Sequence, residues 1–437
     1  MHKLIELDEK KYDEFVKNHP TKSHFLQSYA WGEFAKAKKN LTPYYVGLVD
    51  EQNQVIAATL LLQKHLLMGY SYLYAPRGFV LDFTQEDTFY EMTRQVIKFA
   101  KSKKAIFVKI DPDIIRREYN YLEEEVPLPY NSEKIFKMIL KCGFRHLGFT
   151  KNFETMQPRY TFRIDLNQDM EEIENHFSKT TKQRINKSIK LETEVKIGTE
   201  EDLDTFCSLM LLTENRKDFA SYTSDYYKTL YKIFNKNNKA ILFLGSVNLE
   251  KICKSLEEQL HRTVLEIESF PQENLSKSAK NKLKEALRQK ESLDKELKEY
   301  RLAKEKYGKE VTISAHMIII YNDKAWVLYA GNHDILSSTY ANYHSYYEHI
   351  KYCKENGIKM YDQFGTIGDL RPDNSRIGLH EFKKKFGGDY VEFLGEFDYI
   401  IHPLMYFGFT KLVPLYRKLK LKKTKIENKN AVKNEEE

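Results

Sequence analysis

Apolar positions along this 437-residue chain recur with two periods, and each period predicts a different kind of element. Tyr45–Val49 and Val55–Leu62, parted by the polar turn Asp50–Asn53, read as a strand hairpin. Tyr70–Tyr74 supplies another strand, a helix runs from about Glu86 to Ser102, and Ala105–Ile110 reads as a buried strand. The later chain repeats this order. Ile313–Ile320, a turn at Asn322–Lys324, Ala325–Ala330, a helix from about Ser337 to Glu355 and the strand Ile358–Asp362 follow one another. Two α/β domains of similar topology are expected, a duplication at the level of fold.

Between these halves the period changes. Leu249, Ile252, Leu256, Leu260, Val264 and Ile267 recur at three- and four-residue steps; Phe270–Asn274 breaks the pattern. Ala279, Leu283, Ala286, Leu293, Leu297 and Tyr300 resume it, interrupted by Lys290. This predicts an antiparallel helical hairpin, a coiled-coil arm inserted into the second domain, each helix roughly 35–45 Å long at 1.5 Å per residue. The predicted division is 1–150 for the first domain, 151–245 with 308–395 for the second, and 246–307 for the arm. A return segment at 396–416 and a basic, disordered tail at 417–437 complete it.

Composition sets the class. With 41% hydrophobic and 30% charged residues and a mean hydropathy of −0.61, the chain reads as globular and soluble. No run reaches the ~18 apolar residues of a membrane span, and the N-terminus lacks a secretory apolar core, so a cytosolic protein is expected. Cys142, Cys207, Cys253 and Cys353 lie far apart, which supports neither a disulfide framework nor a zinc site. The thirteen histidines show no ligand spacing, and His344 with His349 read as helix surface.

Seventy basic against 63 acidic residues leave +7, so distribution matters more than sum. Arg417, Lys418, Lys420, Lys422, Lys423 and Lys425 fall in an acid-free run that follows the apolar stretch Ile400–Phe409. That order suits a protein resting on an anionic membrane surface, each basic side chain there adding ~1 kcal/mol. Packing of the apolar part against the body explains it equally. A second acid-free run holds Lys179, Lys182, Arg184, Lys187 and Lys190, with Ile185 and Ile189 between them, so that one face can pack while the other meets phosphates. A solvated helix face is the competing account of both runs.

No phosphate-binding glycine loop, dinucleotide fingerprint, nucleophile elbow or zinc-protease motif is present. Strand–turn–strand–helix–strand is the core order of the acetyltransferase-like (GNAT) fold, yet the loop that holds the coenzyme A pyrophosphate is missing. Gln363–Gly368 does not match it. Another acyl donor is implied.

From about Phe25 to Tyr416 the chain resembles the Fem/MurM family, the non-ribosomal peptidyltransferases that build peptidoglycan cross-bridges from aminoacyl-tRNA. Four blocks carry the resemblance: Phe25–Lys36; Tyr74–Gly78; Phe177–Lys187 with Glu214–Phe219 and Tyr226-Tyr227 downstream; and Tyr361–Thr366 with Leu379–Gly388 and Gly395–Asp398. The run Phe382-Lys383-Lys384-Lys385-Phe386-Gly387 is the most specific, and the helical insertion matches the branch with a seryl-tRNA-synthetase-like arm.

The resemblance implies ester aminolysis. A stem-peptide amine of a lipid-linked precursor attacks the aminoacyl ester, and the tRNA ribose hydroxyl leaves, with neither cofactor nor metal required. It assigns Lys383 with Phe382 to transition-state stabilisation, and Lys36 and Arg216 to the precursor diphosphate. Lys383 also reads as one lysine of three on a helix face, Lys36 as a surface lysine, and Arg216 as a partner of Glu214 or Asp218. Tyr74, Tyr222 and Tyr361 are candidates to line a cleft. Asp111 is a candidate general base, with a turn cap as the alternative. The Lys179–Lys190 run and the arm are the expected tRNA contacts, although acids such as Glu257 and Glu285 on the arm speak for protein contact or spacing instead. A non-enzymatic adaptor using the arm and a coenzyme-A-dependent N-acyltransferase are the rival readings. Glycine, alanine and serine are all used in the family, and no residue decides among them.

Overall fold

The computed structural model describes residues 2–38, 41–217, 222–271 and 276–412, with the side chains of 215–217 excepted. The chain forms two compact units. One comprises 1–161, 365–377 and 390–437; the other comprises 162–364 and 378–389. Residues 151–161, 365–377 and 390–395, which the sequence pattern places in the second domain, thus belong to the first unit. Contacts between segments far apart in sequence leave no local signal, and for 390–393 the pairing of β14 with β6 is one of them. The basic run 417–425 lies outside the described residues.

The first half of the chain supplies β1 (Lys3–Glu6), β2 (Leu41–Val49), β3 (Val55–His65), β4 (Ser71–Ala75), β5 (Ala105–Ile110), β6 (Ile115–Tyr119) and β7 (Phe144–His146). β8 (Tyr160–Asp165), β9 (Glu194–Gly198), β10 (Ala240–Asn248), β11 (Glu310–Tyr321), β12 (Lys324–Asn332) and β13 (Met360–Asp362) follow, and β14 (Asp389–Phe393) and β15 (Phe397–Ile400) close the series.

In the first unit a seven-stranded sheet runs β1-β2-β3-β4-β5-β15-β7. β1 to β4 pair antiparallel, β4 and β5 pair parallel across the helix Glu86–Ser102, and β15 returns antiparallel between β5 and β7. The second unit repeats the ladder. β9, β10, β11 and β12 pair antiparallel in sequence, β12 and β13 pair parallel across the helix Ala341–Glu355, and β8 lies antiparallel on β13. Two acetyltransferase-like units in tandem are therefore present, as the order of elements predicts. The parallel pair needs a crossover helix in each, which is why hairpin, helix and strand recur together.

The helices Leu249–Glu268 and Lys277–Tyr307 sit between β10 and β11, where the first unit has only the turn Asp50–Gln54 between β2 and β3. Ion pairs Glu250–Lys304 (3.8 Å) and Glu257–Arg301 (2.7 Å) fix their antiparallel direction. The seam is the one the periodicity marks, but its base is not solvated on all sides. Leu249, Ile252, Leu256, Leu297 and Tyr300 are buried with Val247, Ile313, Leu336 and Ala341 of the second unit.

β15 carries the most consequential charges of the first unit. Lys109 on β5 is buried with its Nζ 2.9 Å from Glu396 and 3.0 Å from Asp398. Asp398 also accepts the Tyr406 hydroxyl at 2.8 Å. Burial raises the Asp398 carboxyl pKa, and Lys109 opposes the rise. Replacing the ammonium leaves two buried carboxylates without a counter-charge, so Lys109→Met is expected to cost about 3–5 kcal/mol at pH 7. Without Lys109 the folded-state Asp398 pKa rises further above its unfolded value. The folded form then binds more protons than the unfolded one, so the deficit shrinks as pH falls from 7 to about 5. Urea denaturation of both proteins across that range checks this.

Candidate active site

Lys383 occupies the last turn of the helix Ile377–Lys384 and is buried within the second unit. Its Nζ donates to the carbonyls of Gln363 (2.7 Å) and Phe364 (3.0 Å), and the Gln363 side-chain amide donates back to the Lys383 carbonyl at 3.0 Å. Burial pulls the amine pKa down to about 7, against the opposing pull of Asp362. Asp362 is itself engaged by Arg163 at 3.0 Å and by the Phe364 amide at 2.7 Å. The lysine is therefore no surface residue of a basic helix face. It is a partly neutralised buried amine on two backbone carbonyls, the state expected of a functional lysine rather than a solvated one.

The glycines that follow explain this depth. Gly387 has φ +70° and lies against the His176 carbonyl, and a Cβ on Gly388 would stand 2.8 Å from the Arg163 carbonyl. Only glycine lets the chain turn there and keep the lysine helix down on its unit. Phe382, half-buried, packs its ring against Tyr343 (5.0 Å), Tyr346 (4.9 Å) and Phe386 (5.3 Å).

Several candidates stand differently from expectation. Tyr361 does not line a cleft: it is fully buried, with its hydroxyl 3.1 Å from His349 Nδ1. His349 Nε2 in turn lies 3.2 Å from His316 Nδ1. A single neutral tautomer of His349 satisfies both contacts, one of its ring nitrogens donating and the other accepting. Burial lowers the pKa of both rings, that of His316 to about 4. His344 and His349 are thus interior, not helix surface; their apolar neighbours on the helix Ala341–Glu355 at three- and four-residue spacing were the available sign. Among the described residues no group of three or more His, Cys, Asp or Glu is placed to hold a metal.

Tyr222 is exposed and stacks on Tyr226 with centroids 3.8 Å apart. Arg216 falls in the last turn of the helix Leu203–Lys217, its side chain outside the described residues. On the basic helix Lys179–Lys190, Lys179, Lys187 and Lys190 are exposed. Lys182 donates to Asn175 at 3.2 Å, and Arg184 donates to the Tyr343 hydroxyl while lying over Tyr340. Ile185 is buried, but Ile189 is 46% exposed and does not join it. The buried stripe is instead Thr181, Ile185 and Ser188.

The first unit holds a second perturbed group. Asp111, just past β5, is buried and accepts the Tyr74 hydroxyl (3.0 Å) and the Arg77 amide (2.7 Å). Burial lifts its carboxyl to about 7 despite Arg77, and the Tyr74 phenol is pushed up as well. Asp111 accepts the amide of the distant Arg77 turn rather than capping its own, and burial holds its carboxyl up near neutrality. Lys36 ends the helix Tyr29–Lys36, exposed and 3.6 Å from Glu33. An exposed pair of this kind is worth little and leaves the ammonium accessible to an anion.

Two acetyltransferase-like ladders with a buried lysine at the end of a Phe-Lys-Lys helix define the class, and the chain belongs to the FemAB family, whose sequence pattern matches residues 7–413. Among curated relatives, the lipid II:glycine glycyltransferase of Staphylococcus aureus is 28% identical over 430 residues, covering 96% of this chain and 97% of that protein. Its counterpart in the bovine strain RF122 is 27% identical with the same coverage. The crystal structure of FemX matches with a TM-score of 0.73 at 24% identity, over 92% of this chain and 98% of that one, and shares the fold.

Because the folded Lys383 amine has a pKa below its unfolded value, the unfolded chain binds more protons between about pH 7 and 10. Lys383 therefore makes a contribution to wild-type stability that grows with pH across that window. Lys383→Met is expected to remain folded and to lose that rise. Denaturant melts of both proteins at pH 7, 8.5 and 10 measure it.

Proposed function

We propose that this protein transfers an amino acid, glycine in the first instance, from aminoacyl-tRNA to the stem-peptide amine of the lipid-linked peptidoglycan precursor lipid II, at the cytoplasmic face of the membrane. The observation that carries the reading is the similarity to lipid II:glycine glycyltransferases, which runs over 96% of this chain and 97% of that protein. The chemistry on the page suits it. The aminoacyl ester is already activated, so the demands are a neutral attacking amine, orientation, and stabilisation of the oxyanion. Lys383, flanked by Phe382, meets the last demand as a buried donor. Asp111, near neutrality and hydrogen-bonded to Tyr74, is suited to take a proton from the acceptor amine. Lys36 and Arg216 are assigned to the precursor diphosphate, and the exposed lysines of the Lys179–Lys190 helix to the tRNA backbone.

The test supplies purified protein with precursor in liposomes and tRNA charged separately with labelled glycine, alanine or serine. Label should pass to the lipid product from glycyl-tRNA. Lys383→Ala should lower that rate by roughly two orders of magnitude or more while precursor binding persists. Transfer from alanyl- or seryl-tRNA instead would correct the donor. No transfer from any of them, to unmodified or already branched precursor, would favour an adaptor, and turnover with acetyl-coenzyme A would favour an N-acyltransferase.

A further inference from the structure

The C-terminal segment of the first unit has two apolar faces. Inward, Tyr406 and Phe409 meet Phe107 with ring centroids 5.3 and 5.9 Å away, in a small cluster backed by Leu66, Tyr70, Tyr72 and Ile400. Outward, the helix Pro403–Phe407 and the turn after it present Leu404, 89% exposed, with Phe407 and Leu412 more than half exposed. A second apolar tip is joined to this segment. The turn Leu67–Gly69 holds Leu67 and Met68 at 88% and 87% exposure, Met68 in left-handed backbone with φ 60°. The neighbouring Tyr70 ring meets the His402 ring at 6.2 Å. Hydrophobic side chains this open contribute nothing to the folding of the unit, and gathered on one face they mark a contact surface.

The chain stretches that carry them hold charge of one sign. No Asp or Glu occurs between Gln54 and Asp82, between Glu91 and Asp111, or between Asp398 and Glu427. These are the three stretches that build the face: the Ser71 amide donates to the Lys104 carbonyl, and the Ile401 and His402 amides donate to the Ile106 carbonyl. Lys64, Lys104 and Lys411 belong to them, and the sequence continues five residues after Leu412 into the run Arg417–Lys425.

We propose that this face seats the protein on an anionic bilayer, Leu67, Met68, Leu404 and Phe407 entering the boundary between acyl chains and headgroups while the lysines meet lipid phosphates. A soluble polyanion would satisfy the lysines but leave the four apolar tips in water, which is why a bilayer is the occupant. The inference rests on the membrane-peripheral part of the proposed function and specifies the surface that achieves it.

Sedimentation with vesicles that contain no precursor tests it without reference to transfer. Vesicles of phosphatidylcholine with 30 mol% phosphatidylglycerol should bind the wild type at least tenfold more tightly than phosphatidylcholine alone, and added salt should weaken the binding. Leu67→Glu with Met68→Glu, and separately Leu404→Glu with Phe407→Glu, should each lower binding at least tenfold with unchanged thermal melts. Leu122→Glu, at an exposed leucine elsewhere, should not. Transfer to precursor in vesicles should fall in the tip variants, whereas transfer to a water-soluble muropeptide acceptor should not. Wild-type-like binding by both tip variants overturns the proposal, as does a wild-type dimer in analytical ultracentrifugation that the Leu404→Glu/Phe407→Glu variant dissociates. Loss of transfer to both acceptors with vesicle binding intact would count against the transfer reading alone.

Discussion

A buried ammonium between two carboxylates organises the first unit. Lys109 comes from β5, Asp398 from β15 and Glu396 from the residue just before it, nearly 300 residues later, and neither side is tolerable in the interior without the other. The ion cluster therefore selects the C-terminal strand as the neighbour of β5. The cluster carries a formal charge of −1, and Glu396 is among the groups that push the Asp111 proton up. Tyr406, bonded to Asp398, fixes the inward face of the C-terminal segment and so decides which side chains face outward. One desolvated interaction thus sets the order of the sheet and the direction of an apolar surface, and it adds to the burial that raises the candidate base.

The two units show what a shared ladder constrains and what it leaves open. In both, a four-strand meander, a crossover helix and a parallel strand are bound together by right-handed connection rules. The last neighbour of the parallel strand comes from β15 in one unit and β8 in the other. The meander turn costs the sheet little to alter. In the first unit it is Asp50–Gln54, and in the second it is replaced by helices of 20 and 31 residues. A long insertion is admissible there because its ends leave from adjacent antiparallel strands and its base finds apolar partners in Val247, Ile313 and Leu336.

Local periodicity revealed most of the elements, because apolar spacing within ten to twenty residues is what makes a helix or strand bury one face. The helix Glu86–Ser102 and the strand Ala105–Ile110 stand where the pattern sets them. What the pattern does not contain is partnership. Residues 151–161, 365–377 and 390–395 look like parts of the second domain until long-range contacts assign them elsewhere. Ile189 looks like a core residue of the basic helix because it follows Ile185 by four, yet Ser188 and Thr193, hydroxyl to hydroxyl at 2.8 Å, take the buried side. The His316–His349–Tyr361 chain was invisible for the same reason: three polar residues far apart in sequence satisfy one another only after folding. Lys383 was legible as a candidate only through family resemblance, since nothing within a few residues separates it from Lys384 and Lys385.

What distinguishes Lys383 is where its cost falls. Holding an ammonium in the interior of the second unit is unfavourable, and the pKa near 7 expresses that directly: at neutral pH the resting amine is charged only part of the time. The carbonyls of Gln363 and Phe364, together with the charge of Asp362, offset part of the desolvation. On the proposed reaction, negative charge develops on the ester oxygen during attack and on the ribose oxygen as it leaves. An anion forming beside Lys383 interacts with the ammonium more strongly than the backbone carbonyls that hold it in the resting protein. Stabilisation then increases from ground state to transition state instead of being equal in both, and only such an increase lowers the barrier. A solvated lysine at the same position would be fully charged before the reaction and would gain far less from the same anion, because water would already have screened it. The burial that looks like a penalty in the folded protein is, on this account, the source of the rate.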